Sequence, residues 1–548
     1  MSRLFEELVK KRGFSEDFLN PKYGNLPSPF MLPDMRKAIE RIKKAIRDNE
    51  KILIYGDYDV DGVTASTVMN ETLKLAGATD IETMLPDRFK DGYGMSEKVV
   101  ERAEDNNIGL VVTVDCGSGN KDIVQKLSDV GIDTIVTDHH ECTAELPEAV
   151  AVVNPKRRDI QSVVPEFDKH VDELMGLREL AGVGVAFMMT RAMVEEGMIP
   201  AGQEKWLLDL VLIGTICDSM RMGITNRILC FYGVKVLART RRVGLKELMK
   251  ISRTNKITAE SIGFQIGPRL NAAGRMANAV IALRLLQTSS RIEAAKLAEE
   301  LEKLNAERKG QQMAAMREFK DRGIPKDPVL ITVGEWHEGI LGIVAGRLVE
   351  EYRRPAFVLS RVGEGVLKGS GRSFGDFSLA EALKACDDTI IGGGGHAGAA
   401  GVKIEENRLE EFHEKMNDYY RSLRLQNQEQ YLRARADLET SELAGFTLDL
   451  VEELNSLEPF GVGNEIPVFG LNHMFVLDKR LLGAELQHLR LLIRGDDGKT
   501  MKLMAFYAPE DWKRVENGDR LDLLVRVEEN EWNGLRSVEG RILDLRGC

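Results

Sequence analysis

Between residues 52 and 62 the chain runs Ile-Leu-Ile-Tyr-Gly-Asp-Tyr-Asp-Val-Asp-Gly, an apolar stretch broken by Gly56 and followed by Asp57, Asp59 and Asp61 at alternate positions. Carboxylates this close repel one another at neutral pH, so such a cluster points to a cation that neutralises it. The plainer reading is a cap: one of the three would accept a backbone amide at the start of the helix-like run Val63 to Leu75. A cap needs one Asp, not three. Two further strand-like runs end in the same way, Leu110–Val114 at Asp115 and Thr134–Thr137 at Asp138, His139 and His140. A fourth apolar run, Leu207 to Ile216, stops at Cys217, Asp218 and Ser219. Carboxylates mixed with imidazoles suit Mn²⁺, Mg²⁺ or Zn²⁺, and several aspartates are enough to hold two ions. A lone strand-end Asp is ordinary turn chemistry. Four runs that all stop at Asp favour a metal centre.

The elements that position these residues follow from the pattern around them. From about 46 to 291 apolar strands alternate with helical segments, which predicts a parallel sheet covered on both faces. Ligands of such sheets bind at the carboxyl ends of the strands, where the aspartates stand. The loop Pro86–Gly94 offers Arg88 and Tyr93 to a phosphate and a base, or is simply an Asp-Gly turn. Ala181–Ala186 has glycines for close helix packing but lacks the Gly-Lys-Ser/Thr of a phosphate loop. Residues 292–322 carry apolar positions at helical spacing with no proline before position 325, and predict one long connecting helix. A second α/β unit is expected over 323–425. In it Ser370-Gly371-Arg372-Ser373 can hold a phosphate, and Gly392–Gly401 brings backbone amides and His396 close to one, or forms a tightly packed helix start. From 426 to 548 short strands and an Asn533-Gly534 hairpin signal predict a small barrel. Phe506, Tyr507 and Trp532 offer rings for stacking bases, with barrel core or rim as the plainer place for each. Residues 1–45 read as an arm packed on the first domain.

Gly56–Gly62, Thr113–Gly119, Thr137–Glu141 and Gly214–Ser219, in this order, resemble the four motifs of the DHH phosphoesterase superfamily. Within it the chain is most similar to the RecJ family of single-strand-specific exonucleases. Gly267–Arg275, Ser370–Ser373 and Gly392–Gly401 resemble that family's later motifs, and the likeness spans nearly the whole chain. The resemblance implies an α/β DHH domain, a DHH-associated substrate-binding domain and a C-terminal OB-fold. It implies metal-dependent 5′-to-3′ hydrolysis of single-stranded DNA to nucleoside 5′-monophosphates, in repair and recombination. As ligands of two Mn²⁺ or Mg²⁺ ions it implies Asp57, Asp59, Asp115, His139 and Asp218, with Asp115 bridging. His140 is either a ligand or a donor near the scissile phosphate. Substrate contacts carried over are Arg88, Tyr93, Arg269, Asn271, Arg275, Ser370, Arg372 and His396. Tyr55 stands where some relatives have a His, which leaves one ion more loosely held. A single-strand-binding protein or a helicase is an implied partner. The alternatives are a phosphodiesterase for short oligonucleotides or cyclic dinucleotides, and a non-catalytic replication scaffold; the scaffold reading fits poorly, since every motif Asp is present.

Composition sets the outer bounds. At 548 residues the chain exceeds one core, and 43% hydrophobic with 30% charged residues is ordinary globular usage. No apolar run approaches the ~18 residues of a membrane span, and the N-terminus lacks signal-peptide blocks, so a cytoplasmic protein is expected. Six cysteines form no C-x-x-C pair, and so indicate neither a disulfide framework nor a zinc knuckle. The net charge of −12 argues against a nucleic-acid partner only if charge is spread evenly. It is not: Arg221–Arg275 holds twelve Lys or Arg against two Glu, which predicts a phosphate-facing wall. Asp437–Glu458, with seven acids and no base, is a poor DNA surface and a candidate partner surface.

Overall fold

A computed structural model of the chain describes residues 1–92, 94–142, 145–164, 167–363, 365–425 and 435–547. It forms two compact units. One comprises residues 26–220 and 232–432, the other 1–25, 221–231 and 433–548.

The larger unit opens with a five-stranded, all-parallel sheet, order β2-β1-β3-β4-β5, from β1 (Lys51–Tyr55), β2 (Ile81–Met84), β3 (Ile108–Val114), β4 (Asp133–Thr137) and β5 (Ala151–Val153). β1, β3 and β4 are Val/Ile/Leu-rich and almost wholly buried, as strands covered on both faces must be. Adjacent strands lie ~4.8 Å apart, so the residues just past the ends of β1, β3 and β4 meet in one place. The helix Val60–Leu75 starts there and is buried nearly all round, packed against the helices Gly182–Glu195 and Leu208–Cys217. The fourth apolar run is thus a helix, where its neighbours are strands. Short apolar stretches do not distinguish the two by periodicity, and this one is buried on every side except its last two residues.

The helix Arg291–Asp321 then runs for 31 residues, about 46 Å at 1.5 Å per residue. It leads to a mixed sheet, order β6-β7-β8-β10-β9, from β6 (Leu330–Gly334), β7 (Ala356–Gly363), β8 (Val366–Arg372), β9 (Gly392–Gly395) and β10 (Ala399–Glu405). The glycine-rich stretch is therefore an edge hairpin and not a helix start. With no side chains to pack, β9 pairs through its backbone alone, Gly395 with Ala400 and Gly392 with Lys403.

In the smaller unit β11 (Leu438–Thr440) precedes β12 (Phe469–Leu482), β13 (His488–Arg494), β14 (Thr500–Ala505), β15 (Arg520–Trp532) and β16 (Leu535–Gly547), and a β12–β15 pairing closes the last five strands into a barrel. The N-terminal arm corrects expectation. Phe5 and Leu8 are buried in the barrel's core beside Leu450 and Leu454, and Arg12 pairs with Asp437 at 2.7 Å. Burying two such side chains stabilises by roughly 1.5–3 kcal/mol each, so residues 1–25 belong with the barrel and only the following residues with the first domain. The acidic stretch is partly consumed within the unit: besides Asp437, Glu453 accepts from Ser2 and Glu452 pairs with Arg536. Phe506, Tyr507 and Trp532 are 51%, 78% and 73% exposed, which removes the core alternative for all three.

The basic segment is not a continuous wall. Arg227 is fully buried and donates to the carbonyls of Phe18, Ser456, Leu457 and Glu458. Arg242 is clamped by Glu71 (2.9 Å) and Asp209 (3.3 Å), and Arg241 stacks on Trp206 at 3.6 Å. Arg242→Ala leaves the buried Asp209 charge unpaired and should destabilise the fold by about 3–5 kcal/mol. Thermal unfolding checks the loss.

Candidate metal and phosphate site

Asp115 is the hub. It follows β3 in a left-handed backbone conformation, φ 62°, which Asp tolerates. It is 2% exposed. Gly182 lies so close that a Cβ there would stand 2.5 Å from Asp115 Cβ. The close packing read from Ala181–Ala186 is thus packing against this carboxylate. Asp57 is buried behind β1, while Asp59 is the N-cap of Val60–Leu75, accepting from Gly62 N at 3.1 Å. Asp61, which the sequence motifs alone leave outside the ligand set, is 2% exposed and is held by the amides of Gly182 (2.6 Å) and Val183 (2.9 Å).

His139 Nε2 lies 3.1 Å from Asp115 Oδ1, 3.6 Å from Asp218 Oδ2 and 3.7 Å from Asp61 Oδ2. Beneath it Asp138 accepts from Ser118 N, His139 N and the Nδ1 of His140 (2.8 Å), fixing both rings. Among the described residues, three groups have ligand atoms mutually within 4.8 Å: Asp57, Asp59 and Asp115; Asp115, His139 and His140; Asp61, His139 and Asp218. Asp115 serves two of them, and His139 joins the third.

The electrostatics ask for a cation. Burial first, then mutual repulsion, pushes Asp57, Asp61, Asp115 and Asp218 well above the usual carboxylate range. Asp57 Oδ1 is buried with no hydrogen-bond partner. Burial holds His139 down to about 3, leaving it neutral and able to donate a lone pair. Burial works against a charge on His140 too, but Asp138 raises it to about 9. The oxygen and imidazole donors fit Mn²⁺ or Mg²⁺. Tyr55 takes no part: fully buried, its hydroxyl donates to Gly94 O at 2.9 Å and ties β1 to the loop that carries Arg88.

Arginines gather beside this cage. Arg88 lies over the Tyr58 ring at 5.1 Å. Arg275, on the helix Gly267–Met276, is pushed down to about 10 by burial, by Arg88, and by Arg308 and Arg372, against the pull of Asp59. Arg372, at the end of β8, donates to Ser370 Oγ (3.0 Å) and Gly371 O (2.7 Å), and burial and Arg88 lower its pKa. Asn271 is half-buried on the same helix as Arg275. His396 is exposed at the β9–β10 turn. Arg269 is differently engaged: its guanidinium pairs with Glu302 and donates to Gln265 O at 2.7 Å, bracing its helix to the connecting helix. Tyr93 lies outside the described residues.

Family models match in three places: the DHH family N-terminal domain over residues 51–215, the DHHA1 domain over 326–422 and the RecJ OB domain over 437–544. The single-stranded-DNA-specific exonuclease RecJ of Bacillus subtilis is 34% identical over 99% of this chain and 69% of its own length. That of Escherichia coli is 32% identical over 98% of this chain and 94% of its own. This chain belongs to the RecJ family. A crystal structure of RecJ in complex with Mn²⁺ from Thermus thermophilus superposes with a TM-score of 0.83 at 29% identity, covering all of this chain and 76% of that one. A crystal structure of exonuclease RecJ bound to manganese, at 32% identity, gives 0.62 over 73% of this chain and 97% of that one.

For a RecJ-family cage, Gly182 is a sensitive point. Gly182→Ala sets a methyl against Asp115 and must shift the hub carboxylate, since the neighbouring atoms are backbone-near and rigid. Turnover should fall at least tenfold in Mn²⁺, with native circular dichroism. A single-turnover rate equal to the wild type would show that Asp115 has room to move.

Proposed function

We propose that this chain is a metal-dependent exonuclease that hydrolyses single-stranded DNA from its 5′ end and releases nucleoside 5′-monophosphates. The observation that carries it is the pairing of an aspartate–histidine cage, centred on Asp115, with arginines 88, 275 and 372 close enough to perturb one another. Asp57, Asp59, Asp61, Asp115, His139 and Asp218 would hold the ions, with Asp115 shared. Two Mn²⁺ or Mg²⁺ ions bound there would supply Lewis-acid charge for the phosphodiester and its leaving oxygen and would lower the pKa of a bound water. Around them the protein's own groups position the strand. Asp138 locks His139 and His140 in orientation, and His140, held as a cation, can donate to a phosphate oxygen. Arg275 and Arg88 face the phosphate being cut. Arg372 with Ser370 takes the phosphate at the chain end, which fixes where along the strand the cut falls.

In the barrel, His488 packs edge-on to Phe506 and Tyr507, with Arg541 5.8 Å over the Phe506 ring, a combination that suits stacked bases and their phosphates. A single-strand-binding protein or a helicase that delivers the strand is the partner class this reading calls for. Among the described residues no helix is long and apolar enough to cross a membrane, and we place the protein in the cytoplasm. Single strands labelled at the 5′ or the 3′ end, with and without Mn²⁺, test the reading. Release of labelled mononucleotide first from the 5′-labelled strand, and only with metal, is expected; first release from the 3′ label would reverse the polarity.

A further inference from the structure

The inward face of the connecting helix changes chemistry partway along. Leu297 and Leu301 are buried apolar residues at one end of it, and Ala315 and Phe319 at the other. Between them the same face carries Asn305, Arg308 and Gln312, spaced three and four residues apart. Asn305 is 1% exposed and Arg308 8%. Arg308 donates from Nη2 to Asn305 Oδ1 at 3.0 Å and from Nη1 to Gln312 Oε1 at 3.4 Å, and its Nε is buried with no partner.

A buried cation without a countercharge is costly, and proteins rarely keep one without a use. The other buried arginines of the described residues show how the cost is normally met. Arg41 has Glu50 and Asp133, Arg157 has Asp34 and Asp159, Arg269 has Glu302, and Arg227 is wrapped by four backbone carbonyls. Arg308 has two neutral amides, one of them at the limit of bonding distance. Burial weighs on its charge, and among the described residues no acid pairs with it. It lies close enough to Arg275 to weigh against that residue's charge.

We infer that Arg308, oriented by Asn305 and Gln312, seats an internal backbone phosphate of the single strand, which supplies the missing countercharge. This rests on the single-stranded-DNA reading above and adds to it a contact on the connecting helix, separate from the chain-end seat at Arg372. A phosphate has only acceptors, and a guanidinium forks onto two of its oxygens. Turning toward the strand costs Arg308 two bonds to neutral amides and gains charge-assisted ones. With the strand absent, the same residue is a destabilising buried charge.

That double character gives the test. Wild type, Arg308→Met and Arg308→Lys are titrated, with Mn²⁺ present, against a 5′-hydroxyl phosphorothioate single strand, which resists hydrolysis and leaves the chain-end seat unread. Binding is measured over a range of salt, and thermal unfolding without DNA. Arg308→Met should bind at least tenfold more weakly and lose about 0.7 from the salt slope, the share of one phosphate on a single strand. It should unfold at the same or a higher temperature. Arg308→Lys should recover most of the affinity. An unchanged slope in Arg308→Met overturns the inference while the wild-type slope leaves the DNA reading intact. A lowered unfolding temperature with unchanged affinity would make Arg308 a structural residue. Absence of salt-dependent binding by the wild type would overturn both readings together.

Discussion

Asp115→Ala should cut single-strand hydrolysis in Mn²⁺ by at least about a thousandfold, with the fold intact. The expected loss is ~4 kcal/mol or more of transition-state stabilisation, the scale for removing charge stabilisation from a desolvated site. Asp115 is shared by two of the three ligand groups found among the described residues, so in the proposed site its loss would weaken more than one ion position, whereas losing Asp57 or Asp218 would weaken one. The stability change should have the opposite sign. Burial and the charges of Asp61, Asp59, Asp57 and Asp218 all oppose a charge on Asp115. Without metal, then, the variant should unfold at or above the wild-type temperature. Metal separates the two: Mn²⁺ at a hundred times its Kd stabilises a binding-competent fold by about 2.7 kcal/mol. The wild type should show that shift and Asp115→Ala should lose most of it. Near-normal turnover, or an undiminished Mn²⁺ shift, would remove Asp115 from the centre of the cage.

Much of this cage was legible from the sequence because strand ends are easy to read. β1, β3 and β4 are uninterrupted runs of β-branched and aliphatic residues, and each is closed by an acid within two residues. Asp61 was harder. Whether a carboxylate in a first helical turn caps the helix or turns inward depends on what stands opposite. Here the amides of Gly182 and Val183, more than a hundred residues away in sequence, draw Asp61 inward and leave capping to Asp59. The available signal was the arithmetic: three acids, one cap. The basic segment misled for a related reason. The partners Glu71, Asp209 and Glu302 lie outside residues 221–275, so local charge does not reveal that Arg242 and Arg269 are paired. Arg308 carries no sequence signal, because one arginine on a long charged helix has the pattern of solvated surface, and only the fold shows that it is buried. The N-terminal arm showed an amphipathic face, but amphipathicity says that a face is buried, not against what.

The proposed chain-end seat at Arg372 would separate an end-reading exonuclease from a general phosphodiesterase. Arg372→Ala should weaken binding of 5′-phosphorylated single strands about ten- to a hundredfold more than binding of the same strands ending in a 5′-hydroxyl. Arg372 stands at the end of β8, with Nη1 fixed by Ser370 Oγ and the Gly371 carbonyl. Gly342 makes room for the guanidinium, since a Cβ there would stand 2.8 Å from Nη2. A guanidinium so held presents its remaining donors in one orientation, which suits a terminal phosphate with its extra charge and free oxygens. Charged hydrogen bonds of this kind are worth roughly 1.5–3 kcal/mol, which sets the expected range. The competing account is that Arg372 serves the local structure, by pairing with an acid such as Asp376 or by bracing Ser370. Substitution would then distort β8 and weaken both strands alike. Affinities for the two strands, with metal withheld so that neither is consumed, decide between them. Arg372→Lys adds a second check: it keeps the charge but loses the fork, so a seat that reads geometry should lose most of the phosphate preference, and one that reads charge alone should keep it. Equal losses on both strands would leave 5′ polarity supported by family membership without a structural reason in this chain.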